Sequence, residues 1–391
     1  MKILSVNAGS SSLKFQLYEM PEEKVLISGL MERIGIGNSF YTIKINGEKI
    51  KKEVELNNHA EAFEALVNEL KLNNVAESLD EIKGIGHRIV QGGDYFDKTV
   101  VIDDDVLNKI EELSSLAPLH NPAAIVGIEA AKKVFPNALQ TAVFDTAFHQ
   151  TIKEENYLYA LPIEWYTKFK VRRYGAHGTS HKFVSQRINE ILGKTDTKLI
   201  TCHIGNGASI SAILNGKCIN TSMGLTPNAG LIMGTRCGDI DASIIPYVME
   251  KTGMSPKEID NAINKESGLL AISRKSSDSR DVEDGIKAGD ENCILAQKMY
   301  VRRIVDYIAK YYVELGGCDA ICFTAGVGEN SINTRRDIIK ELGVLGIYLD
   351  EEANDVRGKE RLISTKDSKI ACYIIPTDEE LMIAKDTMDL I

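Results

Sequence analysis

The sequence has no apolar run long enough to span a membrane or direct export, and it has no block of Lys and Arg. Its 391 residues carry a formal net charge of -10. Nucleic acids and anionic membranes repel an acidic surface unless a basic patch overrides the repulsion, so we expect no nucleic-acid or membrane partner. Because the chain passes from Met1 directly into strand-like sequence, we expect a cytoplasmic protein.

Cysteine is absent from the first half of the chain. All seven cysteines lie at or after Cys202, and none belongs to a Cys-x-x-Cys pair. This spacing does not fit a zinc site or a disulfide framework. Most of these cysteines have apolar neighbours, as Cys322 and Cys372 do, and the pattern therefore predicts reduced thiols in a core.

Two common nucleotide-binding signatures are also missing. Gly193-Lys194-Thr195 resembles the end of a Walker A loop, but Ile188 stands where that loop needs its first glycine. The chain has three Gly-x-Gly pairs that lack the third glycine and the context of a Rossmann loop: Gly84/Gly86, Gly205/Gly207 and Gly326/Gly328. Neither signature supports a nucleotide site here.

What the sequence does contain is a repeat about 200 residues apart. Residues 3–17 and 199–214 each read as a β-branched strand, a tight turn of Gly, Asn and Ser, and a second strand. Turns this small let backbone N–H groups and hydroxyls converge on a phosphate oxygen. Two such hairpins facing each other would hold a nucleotide from both sides.

The pattern of the whole chain repeats in the same way. The first half predicts strands at 2–6, 13–18 and either 25–34 or 41–45, then a helix containing Phe63 and Leu70, a strand ending at His87, a helix from Asn121 and a strand at 141–144. The second half predicts a hairpin from Leu199, strands at 217–220, 320–324 and 370–375, and helices from Asp241, about Ile294 and Glu379. Duplicated α/β halves place a ligand at the carboxyl ends of their strands.

Several polar residues stand in glycine-rich loops at such strand ends. Arg88, just beyond a strand, and Arg236 are each flanked by glycine, and a guanidinium held in this way suits carboxylate or phosphoryl oxygens. The loop 323–331 opens a helix whose N-terminus favours a phosphate. Asp145 ends a strand and could bind a metal ion, act as a base or cap a helix.

Three histidines lie in rigid loops. His120 precedes Pro122, and His177 and His181 belong to the segment 173–181. Each could simply hydrogen-bond the backbone, and we expect that role for His181.

These segments together resemble the acetate kinase family. The likeness covers essentially the whole chain in order, with motifs at 7–14, around Arg88 and at 173–181, 220–226, 234–241, 324–330 and 376–381. The family belongs to the actin-like, sugar-kinase and heat-shock-ATPase superfamily. The resemblance therefore implies an α/β fold of two duplicated ribonuclease-H-like domains with a central interdomain cleft. We expect residues 1–148 plus 381–391 to form the N-terminal domain, and 149–380 to form a C-terminal domain for nucleotide binding and dimerisation.

The resemblance implies reversible, direct in-line phosphoryl transfer between ATP and acetate, giving acetyl phosphate and ADP. It implies Mg²⁺, which Mn²⁺ can replace, and a homodimer. Carried over position by position, it implies catalytic roles for Arg88, His120, Asp145, His177 and Arg236. It implies an acceptor site of Arg88, Val90, Leu119, Ala176 and Pro227, and metal ligands Asn7 and Glu379, with Glu380 as the register alternative. It implies nucleotide contacts from Ser10, Ser12, Lys14, His203, Asn206, Gly207, Asp278, Arg280, Gly326, Val327, Gly328 and Asn330.

An ionised carboxylate needs no base to become a nucleophile, so this chemistry calls for cations that offset the repulsion between two anions. We expect Arg236 and His177 to hold the phosphoryl oxygens, Arg88 to hold the acceptor and Asp145 to orient the metal ion and its water.

The chain departs from the family pattern at four positions. Ala176 stands where we expect Phe, Gln91 where we expect His, and Asn220 and Ala229 where acidic residues are common. Because a methyl group leaves a larger pocket than an aromatic ring, propionate or butyrate is an alternative acceptor. A sugar or polyol kinase would need a free Asp base and a polar groove. A non-enzymatic actin-like or chaperone ATPase would need a further peptide-binding module or filament-forming surfaces.

Overall fold

The computed structural model describes residues 1–391. The strands are β1 (Lys2–Gly9), β2 (Ser12–Glu19), β3 (Lys24–Glu32), β4 (Phe40–Ile45), β5 (Glu48–Glu53), β6 (Ile82–Ile89), β7 (Val100–Val101), β8 (Leu139–Phe144), β9 (Lys198–Ile204), β10 (Ala208–Leu214), β11 (Lys217–Thr221), β12 (Ala320–Thr324), β13 (Arg361–Leu362) and β14 (Ala371–Ile374).

Fifteen α-helices connect these strands. They are α1 (His59–Leu72), α2 (Asp104–Glu112), α3 (Asn121–Val134), α4 (Glu154–Tyr157), α5 (Ile163–Phe169), α6 (Gly178–Leu192), α7 (Ile244–Thr252), α8 (Pro256–Lys265), α9 (Gly268–Ser273), α10 (Ser279–Lys287), α11 (Glu291–Leu315), α12 (Ala325–Asn330), α13 (Ile332–Glu341), α14 (Glu351–Asn354) and α15 (Glu379–Met388). None of these helices has the length and apolar character that a bilayer crossing requires.

The chain divides into two compact units. The first comprises Met1–Gln150 and Asp378–Ile391, and the second comprises Thr151–Thr377. The boundary after Gln150 lies two residues beyond the expected boundary after residue 148. The boundary after Thr377 lies three residues before the expected boundary after residue 380. The second difference matters, because it assigns Glu379 and Glu380 to the first unit. These residues open α15, which packs on β1 and β6, and a helix joins the unit on which it packs.

The first unit is built on an eight-stranded sheet in the order β5-β4-β3-β2-β1-β6-β8-β7. β1 to β5 are antiparallel neighbours, whereas β6 and β8 run parallel to β1. The core contains Phe63 and Leu66 of α1 packed with Val6 and Phe15 of the sheet. Parallel strands align their carboxyl ends, so β1, β6 and β8 finish at one edge.

The second unit repeats this topology. Its six-stranded sheet has the order β11-β10-β9-β12-β14-β13, with β9 to β11 antiparallel and β12 and β14 parallel to β9. The five strands β11-β10-β9-β12-β14 therefore correspond in order and direction to β3-β2-β1-β6-β8. The duplicated ribonuclease-H-like fold predicted from the sequence is confirmed. All seven cysteines are free thiols, five of them buried, including Cys322 and Cys372.

The glycines Gly84 and Gly86 of β6 have a packing role. A Cβ on Gly86 would lie 2.4 Å from Ile383 Cγ2 of α15, and a Cβ on Gly84 would lie 2.7 Å from Thr387 Cγ2. Only glycine lets the helix approach the strand this closely. This Gly-x-Gly pair is therefore a helix-to-sheet contact, consistent with its rejection as a nucleotide signature.

The structure corrects several expected boundaries. Both candidates for the third strand form, as β3 and β4, and the helix expected from Asp241 begins at Ile244. β6 continues through Ile89, so Arg88 lies within the strand rather than beyond it. The first hairpin is also tighter than expected, because pairing of Gly9 with Ser12 leaves only Ser10 and Ser11 in the turn.

Candidate active site

Three polar residues of the first unit lie at the carboxyl ends of adjacent parallel strands. Asn7 follows Val6 of β1, which pairs with His87 of β6, and Arg88 therefore lies beside Asn7 in the register. Asp145 follows β8 directly, and its backbone N–H donates to Ile89 O at 2.9 Å. Sheet register thus brings these residues, far apart in sequence, to one edge.

Arg88 and Asp145 form a bidentate ion pair. Arg88 Nη2 donates to Asp145 Oδ2 at 2.7 Å, and Nε donates to Oδ1 at 3.1 Å. Asp145 is buried, whereas a quarter of the Arg88 side chain is exposed. The carboxylate raises the pKa of Arg88 above its usual value and outweighs the opposing effect of burial. Both oxygens of Asp145 accept from the guanidinium, an arrangement that the sequence analysis did not anticipate.

Glu379 and Glu380, adjacent at the start of α15, differ in their partners. Glu380 forms an ion pair with Lys14, whereas the buried Oε1 of Glu379 has no hydrogen-bond partner. Burial raises the pKa of Glu379 to about 7, the charges of Asp145 and Glu380 add to the rise, and Arg88 and Lys14 oppose it. We call Lys14, Arg88, Asp145, Glu379 and Glu380 the carboxylate group. It has three acidic and two basic side chains, so it favours an added cation.

Asn121 ties together the loops that carry Val90, Leu119 and His120. Its buried side chain accepts from Gln91 N at 3.2 Å and donates to Gln91 O at 3.0 Å. Val90 is half-buried, Leu119 is exposed and His120 is exposed at the start of α3. The sequence predicted the start of a helix at Asn121, but not that the Asn121 side chain holds these loops. The side-chain oxygen of Gln91 accepts a hydrogen bond from Gly93 N at 2.9 Å within the loop.

His177 of the second unit has a strained backbone. Its φ is +58°, in the left-handed region, at the residue before α6. Its Nδ1 lies 2.9 Å from Ser209 Oγ, and its ring stacks on His203 with the centroids 3.9 Å apart. Strain of this kind in a residue other than glycine persists where the surrounding structure holds it, often at functional sites.

The neighbouring histidines are held by hydroxyl groups. His181 Nδ1 lies 2.6 Å from Thr201 Oγ1, and His181 Nε2 lies 2.8 Å from Ser209 Oγ. We expected His181 to hydrogen-bond the backbone. Instead, each of its two ring nitrogens lies beside a buried side-chain hydroxyl group. His203 Nδ1 lies 2.8 Å from Ser180 Oγ.

Arg236 lies beside this cluster and has no carboxylate partner. Its half-buried guanidinium donates from Nη1 to Pro227 O at 3.1 Å, and burial lowers its pKa. A Cβ on Gly207 would lie 3.3 Å from Arg236 Nη1 and 3.6 Å from His177 Nε2. The two side chains therefore converge beside Gly207, in the turn between β9 and β10. We call His177, His181, His203 and Arg236 the histidine group.

A cavity of about 580 Å³ lies in the second unit. Its lining includes six of the residues expected to contact a nucleotide: Asn206, Asp278, Arg280, Gly326, Val327 and Asn330. It also includes Gly205, Gly234 and Ser331, which lie in segments that the sequence analysis singled out, and six residues that sequence reasoning missed: Leu269, Ser277, Ser279, Glu283, Tyr300 and Arg357. The missed residues come mainly from α9 to α11, where the sequence carries no compact motif. The capping box of Ser255 and Glu258 at the start of α8 and the aspartates that cap α10 and α11 are local helix-start signals in this region.

Glycines shape this cavity in different ways. A Cβ on Gly326 would meet no atom within 4 Å, so Gly326 leaves the cavity open, and a Cβ on Gly234 would lie 1.9 Å from Asn206 Oδ1. Gly328 is enclosed instead by the backbone of Phe323 and Cys202, and it does not line the cavity.

Some expected nucleotide contacts lie outside the cavity. His203 belongs to the histidine group, and Gly207 lies beside Arg236 and His177 of that group. Ser10, Ser12 and Lys14 belong to the first hairpin of the first unit, where Lys14 pairs with Glu380. His59 Nε2 lies 2.8 Å from the carbonyl oxygen of Gly9 and holds the base of that hairpin.

The last two residues expected to line the acceptor pocket lie in the second unit. Ala176 is buried among the core residues of that unit, and Pro227 is half-buried beside Arg236. Asn220 is one of the four positions that depart from the family pattern. The structure explains an amide there, because the Asn220 side chain donates to both carboxylate oxygens of Glu314 at 3.1 Å.

Comparison with known proteins gives a consistent result. The model of the Acetokinase family matches residues 2–385. An acetate kinase of Bacillus subtilis is 53% identical over 391 residues, which are 100% of this chain and 99% of that relative. An acetate kinase structure from Porphyromonas gingivalis is 46% identical with a TM-score of 0.96, covering 100% of this chain and 99% of that one. A propionate kinase structure from Francisella tularensis is 44% identical with a TM-score of 0.94, covering 100% of both chains.

Proposed function

Since this chain belongs to the acetokinase family, we propose that it is an acetate kinase, which transfers a phosphoryl group reversibly between ATP and acetate. The products of the forward reaction are acetyl phosphate and ADP. We propose direct in-line transfer, in which the acceptor carboxylate attacks the terminal phosphorus of ATP.

The observation that carries this proposal is the environment of Arg236. A half-buried guanidinium without a carboxylate partner, beside His177 Nε2, is a site for an anion. Phosphoryl transfer depends mostly on positioning and on neutralising the charge of the phosphoryl oxygens. We therefore assign Arg236 and His177 to those oxygens.

The Arg88–Asp145 pair supports a carboxylate acceptor rather than a sugar. A sugar hydroxyl needs a base to remove its proton, but both oxygens of Asp145 already accept hydrogen bonds from Arg88. An ionised carboxylate has no proton to lose. We assign Arg88, through its remaining N–H groups, to the acceptor carboxylate, with His120 beside it, and the apolar side chains of Val90, Leu119, Ala176 and Pro227 to the acceptor's methyl group.

We assign the nucleotide to the cavity of the second unit. Asp278 caps α10 and pairs with Arg280, whose Nη2 lies 2.5 Å from Asp278 Oδ2. The opening at Gly326 accepts a flat ring, and the turn at Asn206 and Gly207 leads from the cavity lining to Arg236. The hairpin residues Ser10, Ser12 and Lys14 stay a prediction as phosphate contacts.

The carboxylate group fits a magnesium ion. Glu379 has a buried oxygen without a partner, which a cation would satisfy, and this observation favours Glu379 over the paired Glu380. No three acidic, His or Cys side chains converge as a closed metal site, and Mg²⁺ commonly uses one or two carboxylates with water and substrate phosphates. When bound, Mg²⁺ or Mn²⁺ would neutralise phosphate charge. Glu379 would hold it, with Asn7 nearby on β1.

We also propose a cytoplasmic homodimer. Seven free thiols and no disulfide suit a reducing compartment. Helices α5 and α7 bury none of their residues, yet they carry Ile163, Phe169, Ile244 and Tyr247, which are 45–67% exposed. Exposed apolar helices of this kind suit a partner of the same chain. Light scattering of the purified protein tests this assembly.

The activity is tested by incubating the purified protein with ATP, Mg²⁺ and acetate in the presence of hydroxylamine, which traps acyl phosphate as a hydroxamate. We expect hydroxamate formation that requires all three components. Glucose and glycerol serve as control acceptors, and phosphorylation of these alcohols without hydroxamate formation from acetate would contradict the proposal.

A longer carboxylate is the second candidate acceptor, and the alanine at position 176 favours it. Ala176→Phe would fill space at the acceptor, and a hydrophobic pocket distinguishes one methylene by about 1 to 3 kcal/mol. We expect wild-type kcat/KM for propionate and butyrate to approach that for acetate, and Ala176→Phe to reduce the values for the longer acceptors about 10- to 200-fold. An acetate preference that is the same in both proteins would remove this role of Ala176.

A further inference from the structure

Ser209 lies between two imidazole rings in the second unit. It is fully buried on β10, and its Oγ lies 2.9 Å from His177 Nδ1 and 2.8 Å from His181 Nε2. The other ring nitrogen of His181, Nδ1, lies 2.6 Å from Thr201 Oγ1. The four side chains form one continuous line of hydrogen bonds from Thr201 to His177.

A hydroxyl group has a single proton. Between two ring nitrogens, Ser209 therefore donates to one and accepts from the other. A neutral imidazole likewise has one N–H donor and one acceptor nitrogen. Fixing one bond in the line consequently fixes the direction of every other bond.

The reaction requires one of the two directions. Phosphoryl oxygens only accept hydrogen bonds, so His177 must present an N–H from Nε2, the nitrogen on the side of Gly207 and Arg236. In the neutral ring, Nδ1 then carries the lone pair and accepts from Ser209. His181 Nε2–H donates to Ser209, and the hydroxyl of Thr201 donates to His181 Nδ1.

The other groups around His177 favour a neutral ring. The guanidinium of Arg236 lies on its Nε2 side, and a second positive charge there is unfavourable. His203 stacks on the ring face at 3.9 Å and is itself bonded to Ser180, and His181 lies behind Ser209. The Ser209 hydroxyl lies at His177 Nδ1 and is positioned to fix the ring orientation.

We propose that Ser209 is a positioning residue, which donates its hydrogen bond to His177 Nδ1 and thereby keeps the proton on Nε2, directed at the transferring phosphoryl group. This inference rests on the proposed function. It adds that Thr201, His181 and Ser209 set the tautomer of the residue that contacts the substrate.

The first test is the kinetics of Ser209→Ala. Loss of an aligned donor to a transition-state oxyanion costs on the order of 10² to 10³ in kcat. Because the ring itself remains, we expect a smaller fall in kcat, about 10- to 100-fold, without a change in KM for acetate or ATP. Ser209→Thr retains the hydroxyl and should recover most of the activity. The matched control is Ser211→Ala. Ser211 is a buried serine two residues further along β10, and its Oγ lies 2.8 Å from Thr221 Oγ1. We expect this variant to keep the wild-type kcat.

The pH profile separates positioning from a general loss of packing. A protonated imidazole carries N–H on both nitrogens, so its Nε2 donates whatever faces Nδ1. We expect kcat of Ser209→Ala, relative to wild type, to rise as the pH falls from about 8 to 6. A constant ratio across this range would assign Ser209 a packing role and overturn the proposal.

A second measurement uses the wild-type protein alone. Two-bond ¹H–¹⁵N correlation spectra report which ring nitrogen of a histidine is protonated, and we expect His177 to carry its proton on Nε2 at pH 8. A proton on Nδ1 would overturn the proposal even if Ser209→Ala failed to fold. Absence of hydroxamate formation by the wild-type protein would instead contradict the proposed function, so the two failures are distinguishable.

Discussion

Arg88 in the first unit and Arg236 in the second occupy folds with the same strand order but opposite electrostatic surroundings. Arg88 is bound by Asp145 within a group of three carboxylates, whereas Arg236 has no ion pair and lies among histidines. The first group favours an added cation and the second favours an anion. The comparison teaches that the repeated topology positions side chains at strand ends, while the residue types decide which ligand each unit takes.

The strongest test of this difference is Arg236→Ala. An arginine on a transferring phosphoryl group contributes on the order of 10³ to 10⁵ in rate, so we expect kcat to fall by that factor. Because Arg236 has no ion pair to lose, the thermal unfolding temperature should change little. Arg187→Ala is the control, since Arg187 pairs only with Glu190 and Glu360. A fall of less than tenfold for Arg236→Ala would remove it from the phosphoryl site.

Arg88→Ala should damage both activity and stability. Breaking a buried ion pair costs about 3 to 5 kcal/mol because it leaves the partner charge unpaired, and Asp145 is buried. We also expect turnover to fall more than tenfold and KM for acetate to rise. Thermal unfolding and steady-state kinetics measure the two effects. The assignment of Arg88 to the acceptor is wrong if turnover falls less than tenfold and KM is unchanged.

The first unit also contains His87, a buried histidine whose partner is a side-chain amide, whereas hydroxyl groups face the imidazoles of the histidine group. Its Nε2 lies 2.7 Å from Gln140 Oε1, and burial lowers its pKa to about 4. The unfolded state, with the usual pKa of 6.5, binds the proton more tightly. The free energy of unfolding should therefore be unaffected above pH 6.5 and fall as the pH drops toward 4, by up to about 3 kcal/mol.

Denaturant unfolding of wild type and His87→Gln at a series of pH values measures this contribution. The variant should lose the part of the acid sensitivity between pH 6.5 and 4 that His87 supplies. Equal slopes for the two proteins in that range would show that His87 is not responsible.

Magnesium should distinguish the adjacent carboxylates of α15. A ligand that binds only the folded state at 100 times its Kd stabilises by about 2.7 kcal/mol. We expect Mg²⁺ to raise the unfolding temperature of wild type and of Glu380→Gln, but not that of Glu379→Gln. Differential scanning calorimetry with and without Mg²⁺ gives the comparison. The opposite pattern would move the metal ligand to Glu380.

Much of this architecture could be predicted before the structure. The alternation of β-branched strands with Gly, Asn and Ser turns located both hairpins, because strand periodicity and turn chemistry are local properties of the chain. Helix starts at Asn121 and Glu379 were predicted within a residue for the same reason. The helices from α8 to α10 were missed, and with them much of the cavity lining, because their roles depend on packing.

Side-chain partners were the least predictable part of the site. His181 was expected to bond the backbone, but β9 and β10 bring Thr201 and Ser209 to its two ring nitrogens. Pairing across adjacent strands depends on register, which brings together residues that no local pattern connects.

The amino-acid sequence by itself determined the repeated order of strands and the polar residues that end them, since both follow from short-range periodicity and turn preferences. Only the tertiary structure decided that Asp145 binds Arg88, 57 residues earlier in the chain, while Arg236 has no carboxylate. It also decided that Glu380 pairs with Lys14 and Glu379 does not. Consecutive residues of a helix point about 100° apart, so two identical side chains in sequence meet different surroundings once the helix packs.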